Sequence, residues 1–343
     1  MGKSKRQLKD GWLSYWHNYC ENAPNSLLAF NQIKLQTFVG HTGAIKALYT
    51  MDNENLFLSA SKDKTVKLWS LRNHGSGGSS SGGGGAAASG KSACRYTYRH
   101  HRKGVFAVTF LESQRLVASC DGSIHLWDPF SGALVHRYEM SKFVPSILVR
   151  MPAPSPVLVV GTTESSVRLI DTRSSAVQHE LKVASGALGL IRCLAVSPDS
   201  TTLGVGLSSG VLSMVDLTCG LLLGGWRAHD GEVMQIKACN GKQFLTSSVD
   251  HTMALWREDG TRVCTFRGSS EPVHCMCISK GQVVSATTSN RIGLHTSLDQ
   301  QASYSSYRIR PDLARGMTTA LDVLPLKRLF LLGSDNGSVS LLA

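Results

Sequence analysis

The chain has 343 residues, of which 42% are hydrophobic and 17% charged, with 33 glycines, 10 prolines and a formal net charge of +12. That much apolar chain can bury roughly three quarters of its unfolded surface, which excludes a disordered or fibrous protein. The charge is uneven: residues 1–104 carry 15 basic and 5 acidic side chains and the remainder 21 and 19, so the front of the molecule is predicted to hold the positive field.

Residues 1–32 read as a basic and aromatic extension. Lys3, Lys5, Arg6 and Lys9 imitate the start of a signal peptide, but an aromatic and polar stretch follows them where an apolar core is required. Arg6 also stands where a myristoylation pattern needs Ser or Thr. Leu8, Trp12, Tyr15, Trp16 and Tyr19 fall at helical spacing. They are expected to pack on the flank of the following domain, and an anionic membrane surface is the other reading of aromatics beside a basic tail. Residues 74–90 form a Gly/Ser/Ala insert, expected to be disordered and without chemistry. Pro152, Pro154 and Pro156 punctuate a turn. Apolar stretches such as 157–160 and 221–223 fall far short of the roughly 18 residues of a membrane span. The cysteines are odd in number and scattered through apolar runs (Cys120, Cys193, Cys239, Cys264), which suits a reducing, intracellular compartment.

Residues 33–343 repeat themselves. Residues 56–69 recur as 116–127 and as 244–256, and in each copy an Asp precedes a Trp by six positions: Asp63 and Trp69, Asp121 and Trp127, Asp250 and Trp256. Weaker copies at Glu164, Ser209, Ser289 and Asp335 keep the same frame. Spacings along the series are 58, 43, 45, 41, 39 and 46, and the first falls to 41 without the 17-residue insert. Within a unit, β-branched and apolar runs alternate with turns, as in 233–238, 243–248, 252–256 and 262–266. Four short strands repeated seven times predict an all-β, seven-bladed β-propeller. The last unit supplies only three strands (317–323, 329–332, 338–342), so residues 34–38 are expected to complete it and close the ring.

These repeats resemble the WD-repeat family, in which a Gly-His precedes the first strand, an Asp sits in a tight turn and a Trp lies on the third strand. His41, Asp63 and Trp69 match, as do His101, Asp121 and Trp127, and His229, Asp250 and Trp256. Ser59 or Ser61, Ser119, and Thr246 or Ser248 are the hydroxyl partners. The expected arrangement is a buried polar chain from carboxylate to imidazole to hydroxyl to indole N–H, a structural network although its residues look like a catalytic pair.

Searches for other chemistry give little. Cys275 and Cys277 lack a second pair at zinc-ligand spacing, and His100 with His101 stands isolated. Gly204, Gly206 and Gly210 miss the dinucleotide pattern by one residue and fall in a strand. Asn336, Gly337 and Ser338 fit a glycosylation sequon but read more simply as a turn. No catalytic, cofactor-binding or metal-ligating residue is assigned, and no enzymatic activity or cofactor is expected. What remains is surface recognition: Lys62, Arg102, Lys103, Asp230, Glu232, His251, Asn290, Arg291 and Arg315 are predicted to share one rim of loops. Tyr96 and Tyr98, interleaved with Arg95 and Arg99, could stack nucleic-acid bases, but their alternation fits a strand better.

A narrower resemblance is to the C-terminal propellers of WD-repeat proteins that carry a BEACH domain. It rests on residues 57–69, 101–103, 119–122, 126–130, 151–154 and 332–337, and covers roughly 12–343 apart from the insert. It implies a non-catalytic scaffold for endosome maturation, endolysosomal trafficking and autophagy that regulates a phosphatidylinositol 3-kinase complex together with another WD-repeat protein. It also implies a cytosolic location at the periphery of endosome, lysosome or autophagosome membranes. A nucleic-acid or chromatin adaptor and a substrate receptor of a ubiquitin ligase are the alternatives.

Overall fold

The computed structural model describes residues 28–51, 54–71, 93–139, 145–174, 177–183, 189–299 and 303–343. Its strands form seven four-stranded antiparallel sheets. From the axis outward, blade 1 is Ile45–Thr50, Leu56–Ser61, Val66–Ser70 and Cys94–Tyr98, and blade 2 is Ala107–Leu111, Leu116–Cys120, Ile124–Trp127 and Leu134–Tyr138. Blade 3 is Pro145–Arg150, Val157–Thr162, Ser166–Asp171 and Val177–Lys182; blade 4 is Ile191–Val196, Thr202–Leu207, Val211–Asp216 and Leu222–Arg227. Blade 5 is Val233–Cys239, Gln243–Ser248, Met253–Arg257 and Arg262–Phe266; blade 6 is Val273–Ser279, Gln282–Thr287, Arg291–His295 and Tyr304–Arg308. Blade 7 takes Thr318–Leu324, Leu329–Ser334 and Val339–Leu342 from one end of the chain and Lys34–Phe38 from the other. Predicted strand limits agree with these to within two residues.

The alternation within each strand explains how blades stack. Second and third strands are almost wholly buried, as in Leu56–Ser61 and Val66–Ser70, because both faces meet neighbouring blades. Outer strands such as Leu222–Arg227 are largely exposed. Apolar clusters accordingly form seams between consecutive blades: Tyr98, Val66 and Leu58 of blade 1 pack with Val108, Val117 and Trp127 of blade 2, and equivalent seams run round the ring. The seam between blades 4 and 5 needs glycine. A Cβ on Gly204 would stand 2.6 Å from Ile236 Cδ1, and one on Gly206 2.7 Å from Val233 Cγ1. The Gly204–Gly206 spacing is therefore a packing requirement of a strand.

Closure is made several times over. Lys34, Gln36, Thr37 and Phe38 pair with Leu342, Leu341, Ser340 and Val339. Ile33 and Ala343 exchange backbone hydrogen bonds of 3.0 and 2.9 Å. Nearer the axis, the backbone N and Oγ1 of Thr50 both donate to Asp322 Oδ2, at 2.8 and 2.6 Å. The Glu54 carboxylate accepts from the backbone N of Leu326 and Lys327. Leu28 and Phe30 are also drawn in: both are buried in the seam between blades 6 and 7, with Phe30 edge-to-face on Tyr307 and Phe330. Leu28 and Phe30 thus pack against the propeller from the segment that precedes the closing strand. The aromatic run 8–19 and the insert 74–90 lie outside the described residues.

Phe38 carries the closing strand into the core, 1% exposed and edge-to-face against Phe57 and Trp69. Phe38→Ala is expected to lower the unfolding free energy by about 3–5 kcal/mol, read from the shift of the urea midpoint at unchanged slope.

Candidate functional site

Consecutive antiparallel strands place the connections between blades and the turns between second and third strands at the same rim. Every His and Asp of the repeat motif lies there. In blade 1, His41 Nδ1 stands 2.7 Å from Asp63 Oδ2 and Nε2 stands 2.7 Å from Ser59 Oγ, which accepts the Trp69 indole N–H at 2.7 Å. Blade 5 repeats this with His229, Asp250, Thr246 and Trp256 at 3.0, 2.7 and 3.1 Å. In blade 2, His101 Nε2 meets Ser119 Oγ at 2.7 Å and Trp127 donates to the same oxygen at 3.0 Å. There, His101 Nδ1 lies 3.3 Å from Asp121 Oδ2, within ion-pair reach but without an aligned hydrogen bond.

Donor and acceptor counting fixes the direction of the chain. An ionised carboxylate only accepts, so Nδ1 of His41 donates, Nε2 accepts the Ser59 hydroxyl proton, and Oγ is left to accept from Trp69. Burial pushes the imidazoles of His41 and His229 below their ordinary range, with the neighbouring Asp opposing it. Burial would raise Asp63, but hydrogen bonds from Thr65, the Thr42 backbone N and His41 outweigh it. The carboxylates thus stay charged beside neutral imidazoles. Ser61 and Ser248 act on the turns instead. Ser61 Oγ donates to Gly43 O, and both hydroxyls accept from the backbone N of the turn Asp.

The Ser59, His41 and Asp63 distances reproduce a hydrolase triad. Yet Ser59 is 0% exposed and its oxygen already receives the Trp69 N–H. Bonded and covered in this way, the group locks a blade and offers no nucleophile.

Blade 2 adds what the sequence reading missed. His125 stacks on His101 with ring centroids 4.1 Å apart and planes 16° off parallel, and Tyr98 stacks on Trp127 at 4.3 Å. His101, Asp121 and His125 bring ligand-type atoms within 4.8 Å of one another. They do not fit a metal. Nearly parallel rings direct their in-plane lone pairs alongside each other, and the Tyr98 hydroxyl and Ser123 Oγ already occupy both nitrogens of His125. Burial lowers His125 to about 4. A His two residues before the motif Trp, facing the Tyr that ends the preceding blade, was the available signal. Three cysteines are equally quiet: burial pushes Cys120, Cys275 and Cys277 up to about 12, which suppresses the thiolate a metal or nucleophile role requires.

The predicted rim residues divide. Lys62, Arg102, Lys103, Asp230, His251 and Arg315 are exposed in the rim loops. The loops of Lys62 and Arg102–Lys103 touch, since a Cβ on Gly104 would stand 3.2 Å from Lys62 Cα. Glu232 is taken up by an ion pair with Arg192. Asn290 acts as a strut: Nδ2 donates to Gly316 O at 2.6 Å, and Oδ1 accepts from the backbone N and Oγ1 of Thr318. Arg291 is half-buried at the start of its strand. Tyr98 is buried and Tyr96 leans on Trp127, so both belong to the outer strand of blade 1.

Seven four-stranded blades, closed by pairing of residues 34–38 with 339–342 and with the His, Asp, hydroxyl and Trp network in blades 1, 2 and 5, define a WD-repeat β-propeller. The WD40 family, described as WD domain, G-beta repeat, matches residues 32–70 and 92–128, and the chain belongs to it. The relationship within that family is to the propeller of WD repeat-containing protein 81. This chain is 40% identical to the Danio rerio protein of that name over 348 residues, 99% of this chain and 16% of the relative. Against the Homo sapiens protein the figures are 38% over 346 residues, 99% and 17%. Suppressor of organelle fusion 2 from Caenorhabditis elegans is 28% identical over 317 residues, 91% of this chain and 22% of the relative. The chain thus spans less than a quarter of the length of these relatives. Propellers of the WD40 family are typically non-catalytic, and among the described residues no helix is long and apolar enough to cross a membrane.

Two measurements test this description. Ser59→Ala leaves the Trp69 N–H and His41 Nε2 without a partner and should cost about 2–5 kcal/mol in urea unfolding, against about 1 kcal/mol for Ser61→Ala. Burial also lowers His295 to about 4. On acidification through about 6.5 the unfolded chain takes up protons that the folded His125 and His295 refuse, so stability falls as pH drops from 7 towards 4. The thermal midpoint should fall over that window, and His125→Gln should flatten part of the slope.

Proposed function

We propose that the propeller is a protein-interaction scaffold of endolysosomal trafficking whose partner docks on the rim of blades 1 and 2. The observation that carries this reading is the local charge. Lys62, Lys64, Arg99, Arg102 and Lys103 are exposed on adjoining loops. The acids among them are turned inward: Asp63 accepts from Thr42 N, Thr65 and His41, and Asp121 accepts from the backbone N of Arg102 and Lys103 and from Ser123. The field of the loops therefore keeps an excess of outward positive charge over the two inward carboxylates, and it steers a partner with acidic patches. Similarity to WD repeat-containing protein 81 and to a protein named for organelle fusion supports the endolysosomal setting. Regulation of a phosphatidylinositol 3-kinase complex, a second WD-repeat partner, autophagy and a cytosolic site at endosome, lysosome or autophagosome membranes are the finer part of the proposal, supported by the BEACH-family resemblance.

A protein partner is preferred to nucleic acid because Tyr98 is stacked in the core on Trp127, where no base can reach its face. Affinity purification of the chain from cells, parallel with the Arg102→Glu/Lys103→Glu variant, tests the proposal. Endolysosomal proteins should co-purify with the parent and fall at least several-fold with the variant. A partner set unchanged by the reversal, or dominated by chromatin proteins or ubiquitin-ligase subunits, would count against it.

A further inference from the structure

Between blades 6 and 7 the same rim opens into a pocket of about 310 Å³ formed by the turn at Ser289 and Asn290 and the long connection 309–316. Arg308 and Arg315 line it. Strand register sets Arg291 directly opposite Arg308, so two guanidinium side chains leave the same face of blade 6 as immediate neighbours. Like charges in that relation destabilise a strand pair. Among the described residues no carboxylate lies within ion-pair distance of Arg291, Arg308 or Arg315. Asp312 lies 3.8 Å from Arg310 Nε and Asp335 Oδ1 accepts from Met317 N, while Glu271, whose Oε2 accepts from Thr287 Oγ1, feels the charge of Arg291 without forming an ion pair with it.

The walls of the pocket are fixed. Asn290 Nδ2 holds Gly316 O, Asn336 Nδ2 donates to Arg315 O at 2.7 Å, and Ile309 N donates to Asn290 O at 2.8 Å. The Ile309 bond ties the end of the outer strand to the Asn290 turn, so the pocket mouth is set by backbone as well as by side chains. A rigid, cationic recess of this size suits one doubly charged group, and arginine forks match phosphate oxygens in pairs.

We propose that this pocket binds the phosphate of a phosphorylated serine or threonine in a partner protein, with Arg308 and Arg315 as the hydrogen-bonding forks and Arg291 adding charge behind them. Asp312 is exposed on the 309–316 connection and Asp335 on the neighbouring turn of blade 7. A flat anionic bilayer would meet them together with the arginines, whereas one phosphorylated side chain enters between them. Met317, 49% exposed beside the pocket, offers an apolar contact to a flanking residue. The proposal rests on the reading of the propeller as a protein-interaction module, but not on the basic loops of blades 1 and 2.

The test titrates the full chain into a fluorescein-labelled degenerate peptide pool with one fixed phosphoserine, and into the same pool with serine, followed by anisotropy. The phosphorylated pool should bind about tenfold more tightly, and inorganic phosphate should compete. Arg308→Gln/Arg315→Gln should abolish the preference, while Arg102→Glu/Lys103→Glu should retain it. Because Arg308→Gln relieves the repulsion from Arg291, its thermal midpoint should be no lower than the parent's, which separates lost binding from lost folding. Equal binding of the two pools overturns the proposal, as does a preference that survives the double glutamine variant. Binding to mixed phosphatidylcholine and phosphatidylserine vesicles that depends on the same arginines, without a peptide preference, assigns the pocket to lipid and also overturns it. A phosphate preference that persists while the Arg102→Glu/Lys103→Glu variant keeps all its cellular partners supports this pocket and removes only the role of blades 1 and 2.

Discussion

Hydrogen bonds between Lys34–Phe38 and Val339–Leu342 join segments about three hundred residues apart, and the ring depends on them. Each blade is a small sheet that buries its faces only against its neighbours, so an open row of seven would leave two apolar faces in water. Joining the ends removes both faces at once. The Asp322 contact to Thr50 and the Glu54 contacts to residues 326 and 327 fasten the same junction near the axis and at the opposite rim. Leu28 and Phe30 extend the seal across the adjoining seam. The molecule is held shut by contacts of very long sequence separation, whereas blades 1 to 6 are assembled from strands consecutive in the chain.

With the frame closed, the polar network settles how the rim is built. His41 and His229 are neutral bases held in apolar surroundings, and the carboxylates paired with them and with His101 are also bonded by backbone N–H groups from the loop that precedes each blade. A single Asp therefore ties an imidazole, a turn and an inter-blade loop together. The geometry of Ser59, His41 and Asp63 shows how little distance alone says about catalysis: the same separations, closed off by Trp69, produce a rivet.

This use of the acids has a consequence for recognition. Carboxylates at the rim of blades 1 and 2 face inward and are saturated, while Lys62 and Lys64 beside Asp63 in sequence, and Arg102 and Lys103 whose backbone is bonded to Asp121, are exposed. Between blades 6 and 7 the motif is degenerate, and Asn290 and Asn336 take over as struts. There the arginines border a recess instead of a convex loop. Degeneration of the repeat is thus what allows one rim to present two differently shaped basic surfaces on one rigid support.

Much of this was legible in the chain itself. The six-residue interval from Asp to Trp in three repeats, with four weaker copies in the same frame at intervals of about forty, set the number of blades, and the unfinished last repeat pointed to residues 34–38 as the missing strand. Other features were not legible. Ser59 and Ser61 lie on the same face of their strand by alternation, and Ser59 is selected only because strand pairing sets Trp69 opposite Phe57 and within reach of it. The stacking of His125 on His101, the burial of Leu28 and Phe30, and the placement of Arg308 opposite Arg291 followed no periodic signal. By itself the sequence determined the repeat, its strands and the polar groups each blade must satisfy, because these obey local spacing. Only the tertiary structure decided which side chains meet across seams and loops, because those meetings depend on register and packing between segments that the chain order does not place together.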